Sequence, residues 1–309
     1  MLERTGDEIM VCGQMFHTGT PVVLWTDPGG YDAYRVERRF GPIEQAGWHA
    51  AAAVLRSPNR FGSRASGRPD LLERVRGGGW TLEELQDVVD QFVIHYDACG
   101  TSRTCFRVLH DERGLSVHFL LDVDGTIYQT LDLKESAWHA TRANARSIGI
   151  EIANIGAYPP AEAGVLDRWY AHDGQGVRVT IPGGGDGGVR TPGFVARPAR
   201  PTPIEGFIQG QRLRQYDLTD EQYAALGRLT AALIQIFPKL QADYPRDAQG
   251  RLITHVLDDE QWLRYRGLLG HFHVQANKVD PGPAFDWDRV LNEARAAGAH
   301  RRGQSARPR

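Results

Sequence analysis

Four short runs of β-branched and aromatic residues constrain the fold of this chain more than any other feature of its sequence. The runs occupy residues 92–96, 117–121, 126–129 and 147–153. Runs of this length and composition predict buried strands, and the Asp124-Gly125 pair between the second and third is typical of a hairpin turn. With helical patterns around them, these strands predict an α/β fold, in which a central mixed β-sheet is flanked by helices.

Two capping boxes predict where helices begin. Thr81 is followed three residues later by Glu84, and Thr219 is followed three residues later by Gln222. After Thr219 the apolar residues recur at helical spacing as far as about Phe237, where a proline follows. This pattern predicts a helix over 220–237 that covers one face of the sheet.

The composition along the chain predicts three parts. Residues 1–75 read as an N-terminal extension or cap, with a short strand at 22–25 and an alanine-rich helix at 44–55. Residues 76–295 form the main domain, and residues 296–309 are predicted to be a disordered basic tail. Within the main domain, residues 155–215 are rich in Gly and Pro, which predicts a long insertion that is part loop and part small strands.

Charge, hydropathy and cysteine content narrow the class of protein. A net charge of -2 on 309 residues predicts no nucleic-acid partner, and no apolar run is long enough to predict a membrane span. The first residues lack the basic and then apolar pattern of a signal peptide. Three cysteines, Cys12, Cys99 and Cys105, do not form a disulfide framework and favour reduced thiols. Nothing in the sequence indicates the oligomeric state.

Residues that bind metals or move protons are concentrated in three places. They are His95 at the end of a predicted strand, Glu151 within another, and the segment 270–283 with His271, Lys278 and Asp280. Two imidazoles, one carboxylate and an open position for water make a hydrolytic zinc site, which also needs a base and an oxyanion donor. Taken singly, each residue is more often structural. A carboxylate in an apolar strand is nevertheless costly without a partner.

At these residues the sequence resembles the type 2 N-acetylmuramoyl-L-alanine amidases, the zinc amidases related to peptidoglycan recognition proteins and to phage lysozyme-type amidases. Five motifs in the family's order carry the resemblance. They are Val93-Ile94-His95-Tyr96, the hairpin at 116–129, Ala137-Trp138-His139-Ala140, Asn144 with Ser147-Ile148-Gly149-Ile150-Glu151, and Gly270-His271 with the segment 278–287.

The resemblance implies a role for each matched residue. His95, His271 and Asp280 fall on the ligand positions of one zinc ion, Glu151 on the catalytic carboxylate, and Lys278 on a lysine that stabilises the oxyanion. The remaining matched residues, Tyr96, His139 and Asn144, are expected to line the substrate groove. The implied reaction is hydrolysis of the amide between the lactyl group of N-acetylmuramic acid and L-alanine, in peptidoglycan or in soluble muropeptides.

Two residues depart from the family pattern, and one motif differs between branches of the family. Val117 stands where a tyrosine is frequent in other branches, and His273 stands near His271 where relatives carry an acidic residue. If this segment were a strand, His273 would share a face with His271 and compete as a ligand. The ending 280–287 most resembles the branch that recycles anhydro-muropeptides, whereas other branches carry a cysteine in place of Asp280.

The compartment and the exact activity stay open at this point. Cys99 and Cys105 resemble a cysteine pair that is bridged in peptidoglycan recognition proteins, which favours the cell envelope or secretion, whereas the absence of a visible signal peptide favours the cytoplasm. Two other functions also remain open, a peptidoglycan sensor that does not cut and a zinc hydrolase of another amide.

Overall fold

A computed structural model describes residues 4–47, 49, 55 and 59–305 of the chain. The strands are β1 (Glu8–Val11), β2 (Gln14–His17), β3 (Val22–Leu24), β4 (Phe61–Ser63), β5 (Gln91–Tyr96), β6 (Phe119–Leu121), β7 (Ile127–Gln129), β8 (Glu135–Ala137), β9 (Ser147–Ile152), β10 (Tyr170–Asp173), β11 (Gly176–Val179), β12 (Ile204–Ile208), β13 (Gln211–Gln215) and β14 (Gly267–Gly270). The helices are α1 (Ile43–Ala46), α2 (Pro69–Arg74), α3 (Leu82–Val88), α4 (Ser102–Phe106), α5 (Gly164–Trp169), α6 (Asp220–Ile236), α7 (Asp259–Arg264), α8 (His271–Val274) and α9 (Trp287–Ser305).

A six-stranded mixed sheet with the order β14-β5-β9-β6-β7-β3 forms the centre of the molecule. The first four strands in this order run parallel to one another, β7 returns antiparallel to β6, and β3 lies parallel to β7. The predicted mixed sheet is therefore confirmed. The strand predicted at 117–121 begins later, at Phe119, and the other three predicted strands lie within two residues of their expected bounds.

Helices α6 and α9 cover one face of this sheet. The apolar side of α6, including Tyr223, Leu226 and Leu229, is buried in the main core together with Phe92 and Ile94 of β5. The two helices approach closely, because a Cβ at Gly227 of α6 would lie 2.3 Å from the Cβ of Glu293. The helix predicted at 220–237 is confirmed, and it begins at the predicted capping box.

The opposite face of the sheet packs against α4 and the π-helical segment that follows it, Arg107–Arg113. Phe106 of α4 is buried in a second cluster with Val23, Leu120 and Tyr128 from three strands. The sheet is thus covered on both sides, as expected for strands that are apolar throughout. Within the described part of the chain, none of the helices has the length and apolar character that crossing a bilayer requires.

The N-terminal segment contributes to this central sheet. Val22, Val23 and Leu24 pair in parallel with Ile127–Gln129 of β7 and so supply the edge strand. The β1–β2 hairpin is tied to the same region, since the backbone amide of Met10 donates to the side chain of Gln129. Of the predicted helix at 44–55, residues 48 and 50–54 lie outside the described residues, and Ile43–Ala46 is helical.

The insertion at 155–215 contains regular structure as well as loops. Two antiparallel hairpins, β10–β11 and β12–β13, and helix α5 lie within it, while the glycine-rich stretch 182–188 forms turns. The end of the chain differs from its prediction. Helix α9 continues to Ser305, so residues 296–305 are helical where a disordered tail was expected. Alanine and arginine, which make up half of this stretch, are both strong helix formers.

Candidate active site

Three neighbouring parallel strands bring the predicted site residues to one edge of the sheet. His95 is near the carboxyl end of β5, Glu151 is its register partner on β9, and His271 directly follows β14. Parallel strands end at the same edge, which in α/β sheets is where ligands bind. Asp280 reaches this edge from the loop after α8, and its carbonyl accepts a hydrogen bond from the backbone amide of Phe272.

His95, His271 and Asp280 form a tight triangle. The two histidine Nδ1 atoms lie 3.0 Å apart, and Asp280 Oδ2 lies 2.9 Å from His95 Nδ1 and 3.0 Å from His271 Nδ1. All three residues are buried, and their nitrogen and oxygen atoms are close enough together to bind one metal ion. The structure therefore brings together the three residues that the sequence predicted as ligands.

The outer nitrogens of the two histidines indicate which ring atoms carry protons. His271 Nε2 lies 2.6 Å from Gln275 Oε1, which only accepts, so we assign the proton to Nε2 and a lone pair to Nδ1. The same assignment at His95 lets Nε2 donate to His139 Nδ1 at 3.0 Å, and His139 Nε2 then faces Ser147 Oγ at 3.3 Å. Three lone-pair donors then face one another, an arrangement that fits a bound cation.

Electrostatics favour the metal-binding forms of these groups. Burial, followed by the neighbouring His271, lowers the pKa of His95 to about 4, so its imidazole is neutral at pH 7. Burial alone would raise the pKa of Asp280, but the neighbouring His271 and His95 hold it below its usual range. Neutral imidazole and ionised carboxylate are the forms that bind metals.

Glu151 lies beside the triangle and faces the same pocket. Burial raises the pKa of its carboxyl well above the usual range, the negative charges of Asp280 and Asp97 add to this effect, and Lys278 opposes it. Among the described residues, none donates a hydrogen bond to Glu151 Oε2. A buried carboxylate without a donor is costly to maintain, and such groups cluster at functional sites.

The pocket at this edge has a volume of about 290 Å³. Besides the triangle and Glu151, its lining includes Tyr96, Asp97, Arg113, Trp138, His139 and Lys278. Tyr96, His139 and Lys278 are thus where the sequence expected them, at the site. Cys99 and Cys105 also line the pocket as free thiols, and the hydrogen bond from Cys105 lowers the pKa of Cys99.

One sequence expectation needs correction, and the structure argues against one alternative ligand. Asn144 does not face the pocket, because its Oδ1 accepts hydrogen bonds from the backbone amides of His139 and Ala140 and so holds the loop behind the site. His273 does not compete as a ligand, because the segment is a helix and not a strand. Its Nδ1 accepts from the backbone amide of Gly270, and its Nε2 faces the carbonyl of Ile253 at 2.7 Å.

Sequence reasoning also missed two supporting residues. Gln275 holds the outer nitrogen of His271 from four positions further along the chain, and that spacing on a helix was a usable signal. Asp97 follows His95 by two residues and brings a second carboxyl to the pocket, where burial raises its pKa well above the usual range. Residues two apart in an extended segment share a face, but nothing in the sequence around Asp97 indicated that this residue is buried.

Comparison with protein families identifies the class of protein: the chain is an amide hydrolase. The family model described as N-acetylmuramoyl-L-alanine amidase matches residues 85–283, which is more than half of the chain. The chain belongs to this family. The matched region contains every residue of the triangle, together with Glu151 and Lys278.

Solved structures with similarity to the chain are distant from it in sequence. A selenomethionine derivative of AmpD is 19% identical, with 76% of this chain and 89% of that chain covered and a TM-score of 0.35. The amidase AmiD of E. coli, in complex with the substrate anhydro-N-acetylmuramic acid-L-Ala-D-gamma-Glu-L-Lys, is 18% identical, with 66% and 57% covered and a TM-score of 0.38. The endolysin amidase LysCS of Clostridium intestinale is 14% identical, with 68% and 86% covered and a TM-score of 0.35. No curated protein matches the chain. Membership of the family therefore rests on the family model.

Proposed function

We propose that this protein is a zinc-dependent amidase that hydrolyses the bond between the lactyl carbonyl of N-acetylmuramic acid and the nitrogen of L-alanine. The observation that carries this proposal is the triangle of His95, His271 and Asp280, whose donor atoms lie 2.9–3.0 Å apart beside the carboxyl of Glu151. Family membership supplies the class of bond, and the triangle supplies the means of attacking it.

Zinc fits the donor set better than magnesium or calcium does. Two imidazole nitrogens and one carboxylate oxygen are a usual set for catalytic zinc, whereas magnesium and calcium prefer oxygen ligands. The three donor atoms lie 2.9–3.0 Å apart, about half an ångström closer than the roughly 3.3–3.6 Å between donors that are 2.0–2.2 Å from a tetrahedral ion. When bound, zinc would supply a Lewis acid that activates water and polarises the carbonyl.

Glu151 is the residue that moves the proton in this proposal. As the register partner of His95 on the adjacent parallel strand, its carboxyl faces the same side of the sheet as the ligand. It accepts the proton of the attacking water and then donates it to the leaving nitrogen of L-alanine. A raised pKa suits both steps, because a more basic carboxylate takes the proton of water more readily and then holds it for transfer to the leaving nitrogen.

Lys278 is the second residue of this chain that acts on the reacting atoms. It lines the pocket two residues before Asp280, and its positive charge acts on Glu151. We assign it to the negative charge that develops on the carbonyl oxygen as water adds. Tyr96 and Trp138 present aromatic surface to the same pocket and are assigned to contacts with the sugar or the stem peptide.

The experiment that tests this proposal is digestion of two substrates by the zinc-loaded protein, with the products identified by mass spectrometry. One substrate is purified peptidoglycan, and the other is a soluble anhydro-muropeptide. Release of stem peptides that begin with L-alanine, and its loss with a chelator, is the expected result. The preferred substrate also separates a role in the cell envelope from one in the cytoplasm.

Other outcomes of the digestion would redirect the proposal. Tight binding of either substrate without cleavage, by protein with demonstrated bound zinc, would indicate a sensor. Cleavage of other amides but not of these would indicate a hydrolase of a different substrate. Cleavage that continues at full rate after complete removal of metal would contradict the assigned role of the triangle.

A further inference from the structure

The β12–β13 hairpin of the insertion contacts both segments that carry ligands of the proposed metal site. Its turn reaches helix α8, which begins with His271, and its far end reaches the loop that contains Asp280. These contacts are made by two glutamine side chains, Gln209 in the turn and Gln215 at the end of β13. The hairpin is therefore placed to control the geometry of two ligands at once.

Gln209 anchors the end of helix α8 by hydrogen bonds to its backbone. Its Nε2 donates to the carbonyls of Phe272 at 2.9 Å and Gln275 at 3.2 Å, and its Oε1 accepts from the backbone amide of Val256. Helix α8 has four residues, too few to be stable alone, and the carbonyls near its end have no partner within the helix. By satisfying two of them, Gln209 fixes the turn from which the His271 side chain projects.

Gln215 holds the loop that carries Asp280. Its Nε2 donates to the carbonyl of Pro281 at 3.0 Å, and its Oε1 accepts from the backbone amide of Ala284 at 3.0 Å. The loop packs closely on this side chain, because a Cβ at Gly282 would lie 2.1 Å from Gln215 Oε1. Gln215 is buried, so its two hydrogen bonds to this loop are shielded from water.

The backbone conformation of the turn is a second indication that the side-chain contacts of Gln209 matter at this position. Ile208 pairs with Gln211, which leaves a two-residue turn of Gln209 and Gly210 with φ angles of 52° and 72°. Turns of this kind favour Asn or Gly at the first position, since other side chains are strained at positive φ. Gly has no carboxamide, and the carboxamide of Asn is one methylene shorter than that of Gln.

We propose that the β12–β13 hairpin is a brace for the metal site, in which Gln209 positions His271 and Gln215 positions Asp280. This inference rests on the proposed function in one respect, that His271 and Asp280 bind a metal ion. It gives the insertion a role different from a lid over the substrate. The brace acts from behind the ligands, since neither glutamine lines the pocket.

The test compares metal binding with folding in four single variants. Gln209→Asn and Gln209→Gly remove the long carboxamide while relaxing the turn, and Gln215→Ala removes the contacts to the loop. Gln211→Ala is the matched control, because Gln211 is exposed on the same hairpin. Zinc affinity is measured by competition with a chromophoric chelator, the coordination geometry by the visible spectrum of bound Co²⁺, and folding by thermal melting of the metal-free protein.

We expect Gln209→Asn to melt at the wild-type temperature or above it when metal-free, yet to bind zinc about 10-fold more weakly, with an altered Co²⁺ spectrum. Gln209→Gly and Gln215→Ala should show the same loss of affinity, and Gln211→Ala should show none. A purely structural role predicts the reverse, in which melting falls and affinity in the folded protein is unchanged.

Wild-type affinity and spectrum in all three brace variants would overturn the brace while leaving the proposed amidase intact. Should Gln215→Ala fail to fold, the two Gln209 variants still decide the matter. A wild-type chain that binds no metal would overturn both the brace and the metal-dependent function.

Discussion

At the scale of single residues, the site depends on which atoms carry protons. His271 and His95 each direct Nε2 to a neighbour and Nδ1 to Asp280, so the protein fixes the tautomers before any ion arrives. His139 continues this chain inward to Ser147, and burial lowers the pKa of His139 well below its usual value. A neutral, buried imidazole that accepts a hydrogen bond from His95 would orient this proposed ligand, a role added to the groove-lining one expected from sequence.

The role assigned to Glu151 predicts that one substitution lowers turnover and raises stability. Glu151→Gln should retain zinc but lose about 10²–10⁴-fold in turnover, since the amide can neither accept nor donate the proton in the reaction. Because burial raises the pKa of Glu151, the neutral amide should also stabilise the metal-free protein at pH 7. Turnover assays, elemental analysis and thermal melting check the three parts.

A contrasting variant separates catalysis from metal binding. Asp280→Ala should lose the metal as well as the activity, because it removes one of three ligands. If Glu151→Gln turned substrate over at the wild-type rate, Glu151 would not be the proton-transfer group.

Asp122, which lies outside the active site, predicts a pH dependence of stability. Burial, with a contribution from the nearby Asp124 charge, raises the pKa of Asp122 from 3.8 to about 7. The folded protein therefore holds this proton more tightly than the unfolded chain does, so its contribution to stability falls as pH rises from about 4 to 7. A shift of this size corresponds to at most about 4 kcal/mol.

Asp122→Asn imitates the protonated form and should remove this dependence. We expect a higher free energy of unfolding than wild type at pH 8, by about 1–4 kcal/mol, and a gap that closes toward pH 4. Urea unfolding at several pH values measures it. Asp70→Asn, at an exposed position, serves as the control, and a constant gap across the whole range would show that Asp122 does not titrate as described.

At the scale of elements, the helix starts show how local sequence and tertiary burial combine. Thr219 and Thr81 both form complete capping boxes, but only Thr219 is buried, and its hydroxyl also donates to the carbonyl of Val123. Thr219→Ala should therefore lower the free energy of unfolding by about 1–2 kcal/mol, whereas Thr81→Ala should cost less. Chemical denaturation of both variants measures the difference, and equal losses would show that burial adds nothing to the cap.

The elements that the sequence predicted are those whose signal is local. The strand at 147–152 and the helix at 220–236 carry their own periodicity and caps, and the proposed ligands His95, His271 and Asp280 lie in motifs that resemble a known family. Contacts between residues far apart in the chain have no local sequence pattern that would predict them. Gln215 looks like any polar residue of an insertion, and nothing in its neighbours indicates that it packs against Gly282.

At the scale of the whole molecule, a buried arginine joins the N-terminal segment to the site. Arg64 Nε donates to the carbonyl of Leu133 at 2.8 Å, one terminal nitrogen donates to the carbonyl of Ser147 at 2.9 Å, and the other lies 2.9 Å from His118 Nε2. His118 in turn accepts from the backbone amide of Gly149 on β9. Sequence could not predict this, because arginine is almost always exposed.

This network predicts that Arg64 is among the most sensitive positions outside the family match. Arg64→Lys keeps the charge but not the fork of donors, so several carbonyls lose their partners, and we expect a loss of about 2–4 kcal/mol in the free energy of unfolding. Arg68→Lys, at an exposed position nearby, should change it by less than about 0.5 kcal/mol. Urea unfolding compares the two, and similar small effects would contradict a structural role for the buried guanidinium.

The parallel pairing of β3 with β7 has a consequence for how this protein is handled. Residues 22–24 cover the outer edge of β7, a strand whose side chains are all buried. A chain trimmed to the family span at 85–283 would leave that edge open, with amides and carbonyls ready to join another strand. Proteolytic nicking or trimming ahead of the catalytic region should therefore promote self-association before it affects chemistry, and sedimentation of the shortened chain would reveal it.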